Sequence, residues 1–183
     1  MMQTITKPNQ NFKQLQPGIA IGVPSEKDLI STRNEHLIII VGLTGVGKTT
    51  MMNTLTKSGL NFTLLPNRRT LTTELIIPYI AAINGNKIET ICRLERFKYT
   101  RQYQKQFPSG MGNILTQLQI NSHTINYPLI FDFLRGQNEV NYGAKTLKKA
   151  KFVLLSAPLS VRLKRLFTRY YAFKKSQNIQ NIQ

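Results

Sequence analysis

Acidic side chains are scarce in this sequence: eight Asp and Glu stand against 25 Lys and Arg, a net charge of +17 over 183 residues. That imbalance points any partner toward a polyanion, a nucleotide or an acidic surface rather than a cation. The eight acids are Glu26, Asp28, Glu35, Glu74, Glu89, Glu95, Asp132 and Glu139, so Asp132 is the one aspartate beyond the N-terminal tail. One cysteine, Cys92, excludes an internal disulfide framework and a multi-cysteine metal site, and it reads as inert filler. His36 and His123 are far apart in sequence, which argues against a zinc cluster. The first residues lack the apolar core of a signal peptide. The longest apolar stretch, Leu75 to Ile83, is too short to span a bilayer and contains Pro78. A cytoplasmic protein with no membrane partner is the expectation.

What is present suits one domain: 41 % hydrophobic residues in a chain of this length can bury a proper core. Residues 1–34, rich in Gln, Asn, Lys and Pro, read as a flexible leader whose last part braces the domain. Residues 35–173 read as the domain, and 174–183 as a disordered tail. From Leu37 to Val41 the chain is continuously aliphatic, as in a parallel strand buried on both faces. Lys48 to Ser58 has helical apolar spacing and stops at Gly59. A second strand falls at 61–66. Two apolar runs around Asn84-Gly85-Asn86 read as an antiparallel hairpin over 74–91. A basic helix at 93–106, with Leu94 and Phe97 inward, precedes a short helix at 111–119 and a third core strand at 127–132. A helical stretch (138–150), a fourth buried strand (151–157) and a helix opened by a proline (158–173) complete the pattern. Alternating strands and helices imply a parallel α/β sheet.

The chemistry concentrates in one segment. Gly42-Leu43-Thr44-Gly45-Val46-Gly47-Lys48-Thr49 fits G-x-x-x-x-G-K-[ST], after a buried strand and before a helix, the setting a phosphate-binding loop requires. In such a loop, here 42–50 with Thr50 included, the glycines let backbone N–H groups surround a β-phosphate and the helix N-terminus adds its dipole. Lys48 reaches the β and γ oxygens, and the Thr49 hydroxyl ligates Mg²⁺. Asp132 ends an apolar run, where a carboxylate for Mg²⁺ or its water shell is needed. Arg165 and Arg169, at i and i+4, share a helix face suited to neutralising a phosphoryl group in flight. Arg68 and Arg69 follow the second strand and, with Arg135 after the third, are candidates to hold an acceptor phosphate. The helix at 93–106 interleaves five Lys and Arg with Tyr99 and Tyr103, a candidate nucleic-acid surface.

With these residues in place, the order of elements resembles the nucleoside monophosphate kinases, most of all the guanylate-kinase-like group, from His36 to about Arg169. "FVLLSAPLSVRLKRLFTR" is similar to that group's strand, Pro-Ser segment and R-L-x-x-R helix, and "LIFDFLRGQNEV" to its Asp-containing strand. The resemblance implies a three-layer α/β/α P-loop NTPase with a small β-hairpin or helical insert that binds the acceptor. It also implies ATP and Mg²⁺ at Lys48 and Thr49, Asp132 as the metal-side carboxylate, Arg165 and Arg169 as a γ-phosphate clamp, and Arg68 with Arg69 on the acceptor. The sequence departs from the group at Leu134, where the group has a second acid. It also has only a polar stub after Phe173, where the group continues into a lid, a fifth strand and a base-binding loop.

The implied activity is ATP-dependent transfer of a γ-phosphoryl group to a phosphate or hydroxyl acceptor. A nucleotide-dependent binding or switch module, using ATP or GTP and contacting nucleic acid or protein, is the alternative, and a kinase of polynucleotide ends a third. No N-K-x-D segment of the GTPase kind is present.

Overall fold

Residues 12–22, 28–85, 88 and 92–180 are described in the computed structural model, with backbone alone for 172–180. The chain opens with three short strands, β1 (Lys13–Gln16), β2 (Ile19–Ile21) and β3 (Leu29–Ser31). Their partner is distant: β6 (Leu118–Asn121) lies between β2 and β3, antiparallel to both, in a four-stranded sheet of order β1-β2-β6-β3. Ile19, Ile21, Leu118 and Ile120 are fully buried there. The expectation of a flexible leader over 1–34 is therefore corrected for these strands. Strands of three or four residues are too short to show alternation, and the contact that orders them is non-local.

The second sheet is wholly parallel. β4 (Leu37–Val41) pairs with β7 (Leu129–Phe131) on one side and β8 (Lys151–Leu154) on the other, and β5 (Thr63–Leu64) completes the order β5-β7-β4-β8. The chain is thus a mixed α/β protein. Leu37, Ile39, Leu129 and Phe131 enter the same core as Ile19 and Ile120, so the two sheets share one apolar interior. β8 was expected to be buried, but it pairs only with β4 and forms the sheet's edge. Lys151, Val153 and Leu154 are exposed and only Phe152 turns inward.

α1 (Lys48–Lys57) follows β4 as expected, with Gly59 just past its end. The hairpin expected over 74–91 is a helix instead, as far as it is described. α2 (Arg68–Leu71), a π-helical stretch (Thr72–Ile76) and α3 (Ile77–Asn84) run on without a break in helical backbone, ending at Gly85 in the left-handed region. Residues 86, 87 and 89–91, the rest of that expectation, lie outside the described residues. Leu71, Leu75, Ile76 and Ile80 bury one face at helical spacing, so packing outweighs the β-branched preference for strands. Pro78 falls inside this continuous run, two residues past the π-helical stretch, where the backbone hydrogen-bonding pattern changes.

α4 (Arg93–Gln106) has the expected bounds but the opposite facing. Leu94 and Phe97 are 72 % and 62 % exposed, while Tyr103 is buried. Tyr99, Tyr103 and Phe107, at i, i+4 and i+8, form the inward face, and the rings of Tyr103 and Phe107 stack 4.8 Å apart against Tyr79 of α3. α5 (Gly110–Leu115) is shorter than expected because the chain turns into β6. α6 (Gln137–Thr146) and α7 (Leu159–Gln180) close the order, and α7 remains helical in backbone through 174–180, where a disordered tail was expected.

Candidate functional site

The carboxyl ends of β4 and β7 lie side by side, and their neighbouring parallel register brings the residues that follow each strand together. After β4 the chain runs through Gly42–Gly47 into α1. A Cβ at Gly42 would lie 2.8 Å from the Leu155 carbonyl oxygen and 2.9 Å from Val46 Cγ2, so only glycine lets the loop turn this tightly off the strand. Gly47, with φ of 111°, caps α1 in the left-handed region that other residues avoid. Leu43 and Thr44 stand exposed at the crown of the loop. Thr49 and Thr50 lie exposed in the first turn of α1.

Lys48 folds back over the loop, its Nζ donating to the carbonyl oxygen of Gly42 and, at 3.5 Å, to that of Leu43. Burial lowers its pKa from the ordinary lysine value, the positive charge of Arg135 lowers it further, and Asp132 acts the other way. Asp132, directly after β7, is half-buried. Burial raises its pKa, and Lys48 opposes that shift. Lys48, Asp132 and Arg135 therefore form one electrostatic group. Thr49 and Asp132 offer a hydroxyl and a carboxylate, hard oxygen donors of the kind Mg²⁺ takes alongside phosphate and water. Among the described residues no cluster of three or more His, Cys, Asp and Glu could hold a metal by itself.

α7 contacts the loop through Arg162 and Arg165. Arg165 Nη1 donates to the carbonyl oxygens of Gly45 (3.1 Å) and Val46 (2.9 Å), and Arg162 Nε donates to that of Thr44 (3.2 Å). Arg169 lies one turn further on, exposed, with no hydrogen bond among the described residues. The i, i+4 pairing singled out Arg165 and Arg169. The i, i+3 spacing of Arg162 and Arg165 was the signal it missed.

Arg68 and Arg69 do not act together. Arg68 forms a bidentate ion pair with Glu139 (2.8 and 2.9 Å) and also donates to the Phe133 carbonyl oxygen. Glu139, 4 % exposed, accepts two further hydrogen bonds, from the backbone N–H of Met111 and of Arg135, each at 3.1 Å. Burial alone would raise the Glu139 pKa. The hydrogen bonds and charge of Arg68, with the two backbone donors, bring it below the ordinary value. Arg69 is exposed. Arg68 is thus a structural post, because the segment after β7, the start of α6 and α5 converge on the buried carboxylate that it pairs with. Glu139 itself carried no sequence motif; its rarity in a basic chain was its only signal. Glu74 pairs at 2.5 Å with Lys13.

Beside this post opens a cleft of about 580 Å³, bordered by Arg68, Gln104, Arg135, Gln137, Asn138 and Glu139. Its size is that of a small-ligand site. Arg135 is its exposed cation. The amides of Gln104, Gln137 and Asn138 give it donors and acceptors in equal supply.

Among the described residues no helix is long and apolar enough to cross a membrane. No family model matches the chain, and no curated protein matches it.

Proposed function

We propose that the chain is a P-loop nucleotide-binding protein that transfers the γ-phosphoryl group of ATP, in the manner of the nucleoside monophosphate kinases, to a small anionic acceptor. The observation that carries this reading is the grouping of Lys48, Asp132 and Arg135 at the ends of adjacent parallel strands, beside a glycine loop and next to a cleft large enough for an acceptor. In this reading the loop N–H groups and Lys48 hold the triphosphate, and Thr49 and Asp132 hold Mg²⁺, which would supply charge neutralisation between the phosphates. Arg135 holds the acceptor's anionic group in the cleft, while Arg68 keeps the cleft's wall in place through Glu139. Arg165, with Nη1 bound to the loop, retains Nε and Nη2 to meet charge that develops on the transferred group. An acceptor that is already an ionised phosphate needs no dedicated base, so the positions of these cations and the exclusion of water account for the rate.

The test is a screen with γ-labelled ATP and Mg²⁺ against nucleoside monophosphates, sugars, sugar phosphates and RNA ends, followed by Arg165→Ala with the best acceptor. Transfer to one class, with turnover cut about 10²-fold in the variant and ATP affinity reduced only a few-fold, is expected. ATP binding with no transfer to any acceptor would replace this reading with the nucleotide-dependent switch.

A further inference from the structure

Past Glu139 the chain carries ten Lys and Arg and no acid. Among the side chains described there, Lys145, Lys148, Lys149, Lys151, Lys164 and Arg169 are exposed. α7 presents this charge in an unusual setting. Arg162 and Arg165 turn one face of the helix to the glycine loop. Leu159, Leu163, Phe167, Tyr170 and Tyr171 recur three or four residues apart and define another face, roughly 150° around the helix at the 100° per residue of an α-helix. All five are between 42 % and 66 % exposed. A helix ordinarily buries its apolar stripe against the core, and this one directs it to solvent.

The chemistry around the stripe narrows what it meets. A second copy would bring one acid-free surface against another, and like charges oppose that contact. Three of the five residues are aromatic and adjoin one another, with the Tyr170 and Tyr171 rings 5.8 Å apart. Lys164 stands exposed at the stripe's border, next to Tyr171 around the helix, while Arg169 falls on the face of Arg162 and Arg165. Rings that accept a flat π-face, flanked by cations that accept phosphates, are the elements with which proteins bind unpaired nucleotides. A duplex covers its base faces and is read through polar groups on base edges, of which this stripe offers only the tyrosine hydroxyls. We propose that the outward face of α7 binds single-stranded nucleic acid, with bases stacked on Phe167, Tyr170 and Tyr171 and the phosphate backbone held by Lys164 at the stripe's border. This surface stands independently of the phosphotransfer reading, because the hydrogen bonds from α7 to the glycine loop come from Arg162 and Arg165 and not from these four residues.

The test is fluorescence anisotropy of the full chain with a labelled 20-nucleotide single-stranded RNA over a salt series. A duplex of the same length and vesicles of phosphatidylcholine with one-third phosphatidylglycerol serve as competitors. The RNA should bind more tightly than either competitor. The triple change Phe167→Ala, Tyr170→Ala, Tyr171→Ala should weaken it at least about tenfold without altering the salt slope, as loss of stacking requires. Lys164→Gln should instead flatten the slope by about 0.7, the value for one phosphate contact. Far-UV circular dichroism separates both effects from unfolding. An RNA affinity unchanged in the aromatic variant, or vesicle or duplex binding equal to that of RNA, would overturn the proposal and leave only generic attraction to polyanions or a membrane surface.

Discussion

Replacing Glu139 with Gln would test whether Arg68 is a structural post. The substitution keeps shape and removes charge. It leaves the Arg68 guanidinium, itself largely buried, without its counterion, and it places an amide donor among the N–H groups of Met111 and Arg135 that now donate to carboxylate oxygens. Breaking a buried pair by removing one partner costs about 3–5 kcal/mol. Against a total stability of about 5–15 kcal/mol, that is a large fraction. Urea denaturation at pH 7 should show the loss as a lower midpoint at unchanged slope. The pH dependence gives a second check. The folded-state pKa of Glu139 lies below its ordinary value, so its contribution is complete above the unfolded value of about 4.3 and is lost as pH falls through the folded one. The gap between wild type and Glu139→Gln should therefore be level from pH 8 to 5 and narrow below about pH 4. The pair Arg68→Met, Glu139→Leu, which removes both charges, should recover only part of the loss, because the N–H groups of Met111 and Arg135 would then lack an acceptor. A gap under about 1 kcal/mol at pH 7, or one that fails to narrow in acid, would refute the account of a buried charge held by its partner.

Lys48→Ala should abolish nucleotide binding, measured by titration calorimetry, while thermal unfolding stays nearly unchanged, because the side chain bonds only loop carbonyls. Equal affinity in variant and wild type would remove the phosphate-binding role. Asp132→Asn should lose the Mg²⁺-dependent tightening of ATP binding and keep the Mg²⁺-free affinity. Since burial opposes ionisation of Asp132, the same change should also not destabilise the fold at neutral pH, which a denaturation curve checks directly.

The local parts of this structure were legible in the sequence. Strand, glycine loop and helix over 37–57 follow from consecutive aliphatics, a motif and a helix stop, all within reach of one another. The apolar run at 74–84 was not, because Leu75, Ile76, Ile77 and Ile80 satisfy both a strand and a buried helix until their neighbours are known. Leu94 and Phe97 were expected inward on periodicity alone, yet Tyr99, Tyr103 and Phe107 repeat at the same spacing and have rings on α3 to meet. Arg68 looked like a ligand because it follows the second strand, at the sheet edge where α/β proteins bind anions. Its partner is 71 residues away. On α7, the i, i+4 spacing singled out Arg165 and Arg169, and the contact of Arg162 with the Thr44 carbonyl oxygen was not legible because its partner is 118 residues away.

The position of β6 between β2 and β3 carries a consequence for how the chain is made. When Leu29–Ser31 leaves a ribosome, about ninety residues must still be added before Gln119 to Asn121 emerge to pair with them. At synthesis rates of roughly 5–20 residues per second that is on the order of 5–20 seconds. During that time β1 and β2 can form no more than a two-stranded ribbon, which is marginal in water, and Ile19 and Ile21 have no β6 to cover them. The nascent N-terminus is thus the part of the protein most in need of a chaperone. A shortened version begun at His36 would release that need only by transferring it, leaving Leu118 and Ile120 on a strand with both edges open.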